Sequence, residues 1–259
     1  MRAVKVWVIA GALAVLIGNN TASAAADTVA ASKSNDDDES EPIETVAIDA
    51  GLTGARPYSL YGNLGILFAP PAGLDVSGFR LRFEAVGGQY SYPQDSVRIY
   101  GLSEDVRLLL GYSLNWDENS ILLMAGGAVE HAKDLSSPAS DGDPTAPVPP
   151  GTHFGLALKT EVNLKPTEQS MVYADANYST AVQDYYVELK AGYAAFSPKV
   201  YVGPKVVFLG DKNFNQYRVG AFVGGMRIGK VELEFSGGYL RDSIQGSGFF
   251  AGTDFYVQY

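Results

Sequence analysis

Ten charged residues fall one at a time, at alternate positions, within otherwise apolar segments: Arg80, Arg82 and Glu84; Lys159 and Glu161; Glu188 and Lys190; Arg218; Glu232 and Glu234. Side chains two apart on a β-strand share a face, so each group reads as the polar face of a strand whose other face is apolar. If these polar faces meet around a common interior, two outcomes follow. The charges can pair into a network that satisfies buried charge and stiffens the wall, or they can line a polar passage.

The two histidines, His131 and His153, bracket residues 134–151, which hold Ser136, Ser137 and Ser140, with Asp134 at the start. A histidine that takes a serine proton, itself oriented by a carboxylate, is the arrangement of acyl hydrolases and acyltransferases. No motif spaces these residues, and Ser, Asp and His are common in loops. Two histidines also fall short of a zinc ligand set. No metal site, cofactor or catalytic residue is therefore assigned.

Composition narrows the field further. The chain has no cysteine, so disulfides, zinc thiolates, thiol catalysis and a lipoprotein anchor are not expected. Arg2 and Lys5, the apolar run Val6 to Ile17, and the small-residue sites Ala22-Ser23-Ala24 and Ala24-Ala25-Ala26 read as an export leader over residues 1–26, cleaved after Ala24 or Ala26. That run is shorter than the ~20 residues a membrane helix needs. The formal charge is −10, and loss of Arg2 and Lys5 would make it −12. No basic patch points to nucleic acid. Residues 27–43, with Asp36-Asp37-Asp38-Glu39, read as an acidic, solvated tail.

From Glu44 onward the hydrophobic period is 2 rather than 3.6. Strands are expected near 44–51, 58–69, 79–92, 105–115, 121–132, 152–165, 170–180, 184–196, 199–209, 215–228, 231–242 and 248–259. Twelve is an even number, as single-chain outer-membrane barrels have. The final strand carries Val257, Phe255, Thr253 and Ala251 on one face, with Gln258, Asp254 and Gly252 on the other, and ends on Tyr259. A half-apolar closing strand with a terminal aromatic is usual for such barrels. Connections sort by side: 93–104, 134–151, 210–213 and 243–247 fall on one, the shorter 116–120, 166–169, 197–198 and 229–230 on the other. Long outer loops and short periplasmic turns are the barrel pattern, and a β-sandwich has no reason to follow it. Residues 70–78 are the exception, too long for a periplasmic turn. Pro204 should force a bulge in its strand or sit near the membrane interface. Gly111-Tyr112, Gly192-Tyr193 and Gly238-Tyr239 read as glycine bends covered by an aromatic or as part of an interfacial girdle.

The reading is an all-β, transmembrane, antiparallel outer-membrane barrel over residues 44–259, in contact with outer-membrane lipid. Its ten alternating charges face the lumen, where mixed signs suit a neutral, hydroxyl-rich polysaccharide better than a strongly charged solute. Several segments resemble the cellulose biosynthesis protein BcsS family in order and spacing: Gly78-Phe79-Arg80-Leu81-Arg82 with Tyr90-Ser91-Tyr92, Leu109-Leu110-Gly111-Tyr112, Tyr178-Ser179-Thr180-Ala181, Arg218-Val219-Gly220-Ala221-Phe222 and Ser236-Gly237-Gly238-Tyr239. The resemblance implies a non-enzymatic accessory of cellulose or related exopolysaccharide production, exporting or anchoring polymer beside the cellulose-synthesis machinery. A lipid-modifying acyl hydrolase or acyltransferase and a general small-solute porin are the alternatives.

Overall fold

The computed structural model describes residues 43–56, 59–70, 73–94, 97–135 and 150–259. Twelve strands follow in chain order: β1 Val46–Ala55, β2 Ser59–Phe68, β3 Gly78–Gln94, β4 Val97–Trp116, β5 Asn119–Asp134, β6 Gly151–Thr167, β7 Ser170–Ser179, β8 Asp184–Ala194, β9 Tyr201–Gly210, β10 Asn215–Ile228, β11 Val231–Asp242 and β12 Gly246–Gln258. Each pairs antiparallel with its sequence neighbours, and β1 pairs with β12 from Ala47↔Gln258 to Ala55↔Phe250, closing the barrel. The amides of Thr45 and Val46 donate to the Tyr259 carbonyl at 2.6 and 2.9 Å. The start of β1 and the end of β12 thus share one end of the barrel, the terminal end; the opposite end is the far end. Closure pairs every strand on both sides, which is what lets strands cross a bilayer. The leader expected over 1–26, the acidic segment up to Pro42, and the serines and prolines of 136–149 lie outside the described residues.

Period-2 alternation sorts the wall into two faces. Leu81, Phe83, Leu108, Leu110, Leu123, Leu156, Leu158, Val219 and Phe235 are exposed on the outer face. Arg82, Glu84, Arg107, Lys159, Glu188 and Lys205 are buried on the inner one. Tyr112, Tyr193 and Tyr239 point outward, with Phe79 edge-on to Tyr112 at 5.4 Å and Phe249 edge-on to Tyr239 at 6.2 Å. Tyr112 and Tyr193 lie toward the terminal end and Tyr239 toward the far end, as members of two aromatic girdles do.

Strand length is uneven. β1, β2, β7 and β9 have 10 residues each, about what a tilted strand needs to cross a bilayer. β3 to β6 have 16 to 20. The surplus stands at the far end: β3 pairs with β2 only as far as Gln89, and β6 pairs with β7 only from Ala157 onward. Of residues 93–104, expected as a loop, 93–94 and 97–104 are instead paired strand, with Pro93↔Arg98 and Tyr92↔Ile99 in register. Pro93 is tolerated because β3 has no β2 neighbour there, so the strand is locally an edge.

Pro204 carries no bulge. β9 keeps register with β10 through Ala221↔Pro204, and the ladder to β8 lapses between Lys190↔Lys205 and Tyr193↔Val202 without a shift. The missing N–H is absorbed by one gap in that ladder. The register shift occurs one strand away, between Val223 and Met226 of β10. There Gly225 has φ +78°, and a Cβ on it would lie 1.9 Å from the Lys199 carbonyl oxygen. Only glycine meets both conditions at once.

The long connection between β2 and β3 turns inward. The amides of Ala69 and Leu74 donate to the carbonyls of Thr45 and Glu44, each at 2.8 Å, and Leu74 packs with Ala47, Ala69 and Leu67. Its length serves this tuck at the terminal mouth.

Candidate functional site

The interior is crossed by two bands of ion pairs. In the first, Arg82 of β3 donates to Asp49 of β1 at 2.7 Å and to Glu84 at 2.5 Å. Lys159 of β6 reaches Glu84 at 3.2 Å and Asp175 of β7 at 2.9 Å. The Arg82–Asp49 contact must pass over β2. Gly65 allows it: a Cβ there would lie 2.4 Å from Arg82 Nη2 and 2.5 Å from the Asp49 carboxylate oxygens. Under the Glu84–Lys159 chord lies an apolar patch of Leu109, Leu122, Met124, Ala128 and Ala157. Toward the far end Arg107 of β4 holds Asp105 at 2.6 Å and Asp184 of β8 at 2.8 Å.

The second band joins β8, β9 and β11. Lys190 contacts Glu234 at 2.8 Å and Glu188 at 3.3 Å, while Lys205 contacts Glu188 at 3.1 Å and Glu234 at 3.3 Å. The Lys190 ammonium also sits 4.3 Å from the Tyr173 ring centroid, and the Tyr186 hydroxyl donates to Glu188 at 2.6 Å. These bases are almost wholly withdrawn from solvent. Losing one partner of such a pair costs about 3–5 kcal/mol, because the other charge stays buried.

The ten residues read from the alternation divide accordingly. Arg82, Glu84 and Lys159 join the first band; Glu188, Lys190 and Glu234 join the second. Glu161 lines the lumen and accepts from Asn163 Nδ2 at 3.2 Å. Arg218 donates to Gln216 at 2.6 Å and faces the Phe250 ring. Glu232 stands at the terminal rim, paired with Arg227 at 3.2 Å. Arg80 takes no part in either band: it is 2 % exposed and donates to the carbonyls of Leu74 (3.0 Å) and Val76 (2.5 Å), holding the inward turn. Asp49, Asp105, Arg107, Asp175, Asp184 and Lys205 also take part and were not singled out by the alternation, while Asp254, on the polar face of the closing strand, lies 3.9 Å from Lys205.

The bands narrow one continuous cavity of about 980 Å³, lined from Glu118, Lys165 and Arg227 at the terminal end to Arg56, Ile244 and Gln245 at the far end. The far mouth is bridged. The β11–β12 turn is fixed by Asp242 Oδ1, which accepts the Ile244 amide at 2.9 Å. From it Gln245 reaches across to the β3–β4 hairpin, where its amide donates to the Ser91 carbonyl and its Oε1 accepts from Arg98 at 3.2 Å. Ile244 packs beside Tyr90, Tyr92 and Ile99. In the β9–β10 turn, burial raises the Asp211 carboxyl above the usual carboxylate range, opposed by the amides of Asn213 and Phe214 that it accepts.

The histidines do not converge. His131 is exposed on the outer face, 3.0 Å from Thr152 Oγ1. His153 lies on the inner face across from Glu130, and Asp134 shares that inner face, accepting from Tyr92 at 3.4 Å. No single site uses both rings. Ser136, Ser137 and Ser140 lie outside the described residues.

Among solved structures, the chain is similar to the COG4313 outer membrane channel from Pseudomonas putida F1, at 12% identity and TM-score 0.50 over 87% of this chain and 100% of that one. It is also similar to a KdgM porin (10%, TM-score 0.46, 81% and 98%) and to LpxR from Salmonella typhimurium (13%, TM-score 0.47, 82% and 100%). At 12% identity the likeness to the COG4313 channel bears on the fold alone, a closed outer-membrane barrel. No curated protein matches the sequence. The family model for cellulose biosynthesis protein BcsS matches residues 53–259, from β1 through the closing strand. The chain, a twelve-stranded barrel with a polar, ion-paired lumen, therefore belongs to the BcsS family of cellulose biosynthesis proteins.

Proposed function

We propose that this protein is a non-enzymatic outer-membrane accessory of cellulose or related exopolysaccharide production, and that its lumen takes part in moving polymer across the membrane. The observation that carries the reading is the continuous polar cavity lined by residues from both ends of the barrel. A wall dense in hydrogen-bonding groups, with its charges paired in place, suits a hydroxyl-rich chain: sugar hydroxyls can exchange hydrogen bonds with it without a large desolvation penalty. The exposed apolar outer face and the outward tyrosines support residence in lipid. In this reading the terminal end is periplasmic, the leader over 1–26 is removed on export, and residues 27–43 form an acidic periplasmic tail beside the synthesis machinery.

Cellulose measured in surface, periplasmic and released fractions of a deletion strain tests the proposal. Polymer lost from the surface and retained in the periplasm is the expected result. Polymer made normally but shed to the medium would assign the barrel to anchoring instead. An unchanged distribution would overturn the assignment.

A further inference from the structure

Fourteen acidic and ten basic residues line the cavity, and the way they pair matters more than the excess. Arg82, Arg107, Lys159, Lys190 and Lys205 each contact two carboxylates at 2.5–3.3 Å. Their positive charge is cancelled where it stands. Among the described residues Arg218 is the mid-lumen base outside any ion pair, and it is turned against Gln216 and Phe250. The carboxylates are less fully matched. Glu161 belongs to no ion pair among the described residues and is held by the Asn163 amide alone. Asp254 meets Lys205 only at 3.9 Å, and 42% of its side chain remains open. Asp105 Oδ1, on a side chain nine-tenths buried, has no hydrogen-bond donor, and neither has Asp184 Oδ1. Between the mouths, where Arg56 and Lys199 stand, an ion in the lumen therefore meets more unmatched carboxylate oxygens than unmatched ammonium or guanidinium groups, Arg218 being the exception.

We infer that the lumen is cation-selective: it admits cations and neutral solutes and holds back anions, with Glu161 and Asp254 setting the preference. This narrows the polymer it can carry to uncharged or cationic chains and excludes acidic ones such as polyuronates. The inference rests on the lumen being a passage, as proposed above, but not on that passage serving cellulose.

Glu161 and Asp254, the two mid-lumen carboxylates most open to a passing ion, fix the size of the effect. One unit charge about 6 Å from a passing ion in water favours a cation and disfavours an anion by about three-fold each, so on the order of ten-fold between them before salt screening. The test is the reversal potential of the purified barrel in a planar bilayer under a KCl gradient. Potassium should permeate about five- to ten-fold over chloride at 0.1 M salt, and the ratio should fall toward one at 1 M as the charges are screened. Glu161→Gln with Asp254→Asn should bring the low-salt ratio close to one. A chloride preference, a ratio indifferent to salt in the unmodified protein, or a well-folded barrel that passes no current would each overturn the inference. The salt comparison needs no substitution, so a variant that fails to fold leaves the test intact. Absence of a cellulose phenotype together with cation selectivity would sink only the assignment to polymer export.

Discussion

Replacing Lys159 by methionine removes the one cation shared by Glu84 and Asp175. The lysine side chain is 4% exposed, and its two partners lie 3.2 and 2.9 Å away. Glu84 keeps Arg82 at 2.5 Å, but Asp175 is left with the Asn177 amide at 3.1 Å. A carboxylate stranded in this way should cost about 3–5 kcal/mol of stability. Lys165, paired with Glu118 at 2.9 Å on the exposed terminal rim, is the internal control; Lys165→Met should cost less than about 1 kcal/mol. The assay is urea unfolding of the barrel refolded into lipid vesicles, followed by fluorescence of Trp116 and extrapolated linearly to water. Adding Glu84→Gln and Asp175→Asn to Lys159→Met should recover most of the loss, because uncharged groups carry a far smaller burial penalty than stranded charges. Equal, small losses for Lys159→Met and Lys165→Met would refute the reasoning. They would mean that water in the lumen screens the bands as bulk solvent screens the rim.

Gly65→Ala places a methyl group 2.4 Å from Arg82 Nη2 and should force the Arg82–Asp49 pair apart, lowering stability by about 1–3 kcal/mol in the same assay. Gln245→Ala removes the bridge to Ser91 and Arg98 and should raise single-channel conductance; unchanged conductance would show that the bridge does not limit the far mouth. His131→Ala and His153→Ala, made separately in the strain, should leave surface cellulose within about two-fold of the parent, whereas an enzyme using either ring as base would lose about 10²-fold or more.

Much of this architecture was legible because a barrel repeats one signal twelve times. Period-2 alternation around Arg80–Glu84 or Glu188–Lys190 places a strand and its polar face at once, and the sorting of connections by side separates a barrel from a sandwich. Partial signals misled. Residues 93–104 looked like a loop because Pro93 and scattered polar residues break the alternation, yet 93–94 and 97–104 are paired strand standing beyond β2. The candidate site was legible only by face, not by partner. Asp49 is one charge in a run of small and apolar residues, too little to establish parity. Lys205 follows Pro204, whose missing N–H argues locally against a paired strand. Arg80 obeys the alternation perfectly but is claimed by an inward turn that local sequence does not announce. Contacts such as Arg107–Asp184 or Lys190–Glu234 span strands that are not neighbours, so they depend on closure and strand tilt, which no local pattern encodes.

The central claim, that polymer moves through the lumen, can be tested by closing it reversibly. The chain has no cysteine, so Arg98→Cys with Gln245→Cys would place the only two thiols on opposite sides of the far mouth, where the native side chains meet at 3.2 Å. Bridging them with a short, reducible bis-thiol reagent on intact cells should stop delivery of new cellulose to the surface, retain it in the periplasm, and restore delivery on reduction. Undiminished surface cellulose with the bridge verified would contradict passage through this barrel.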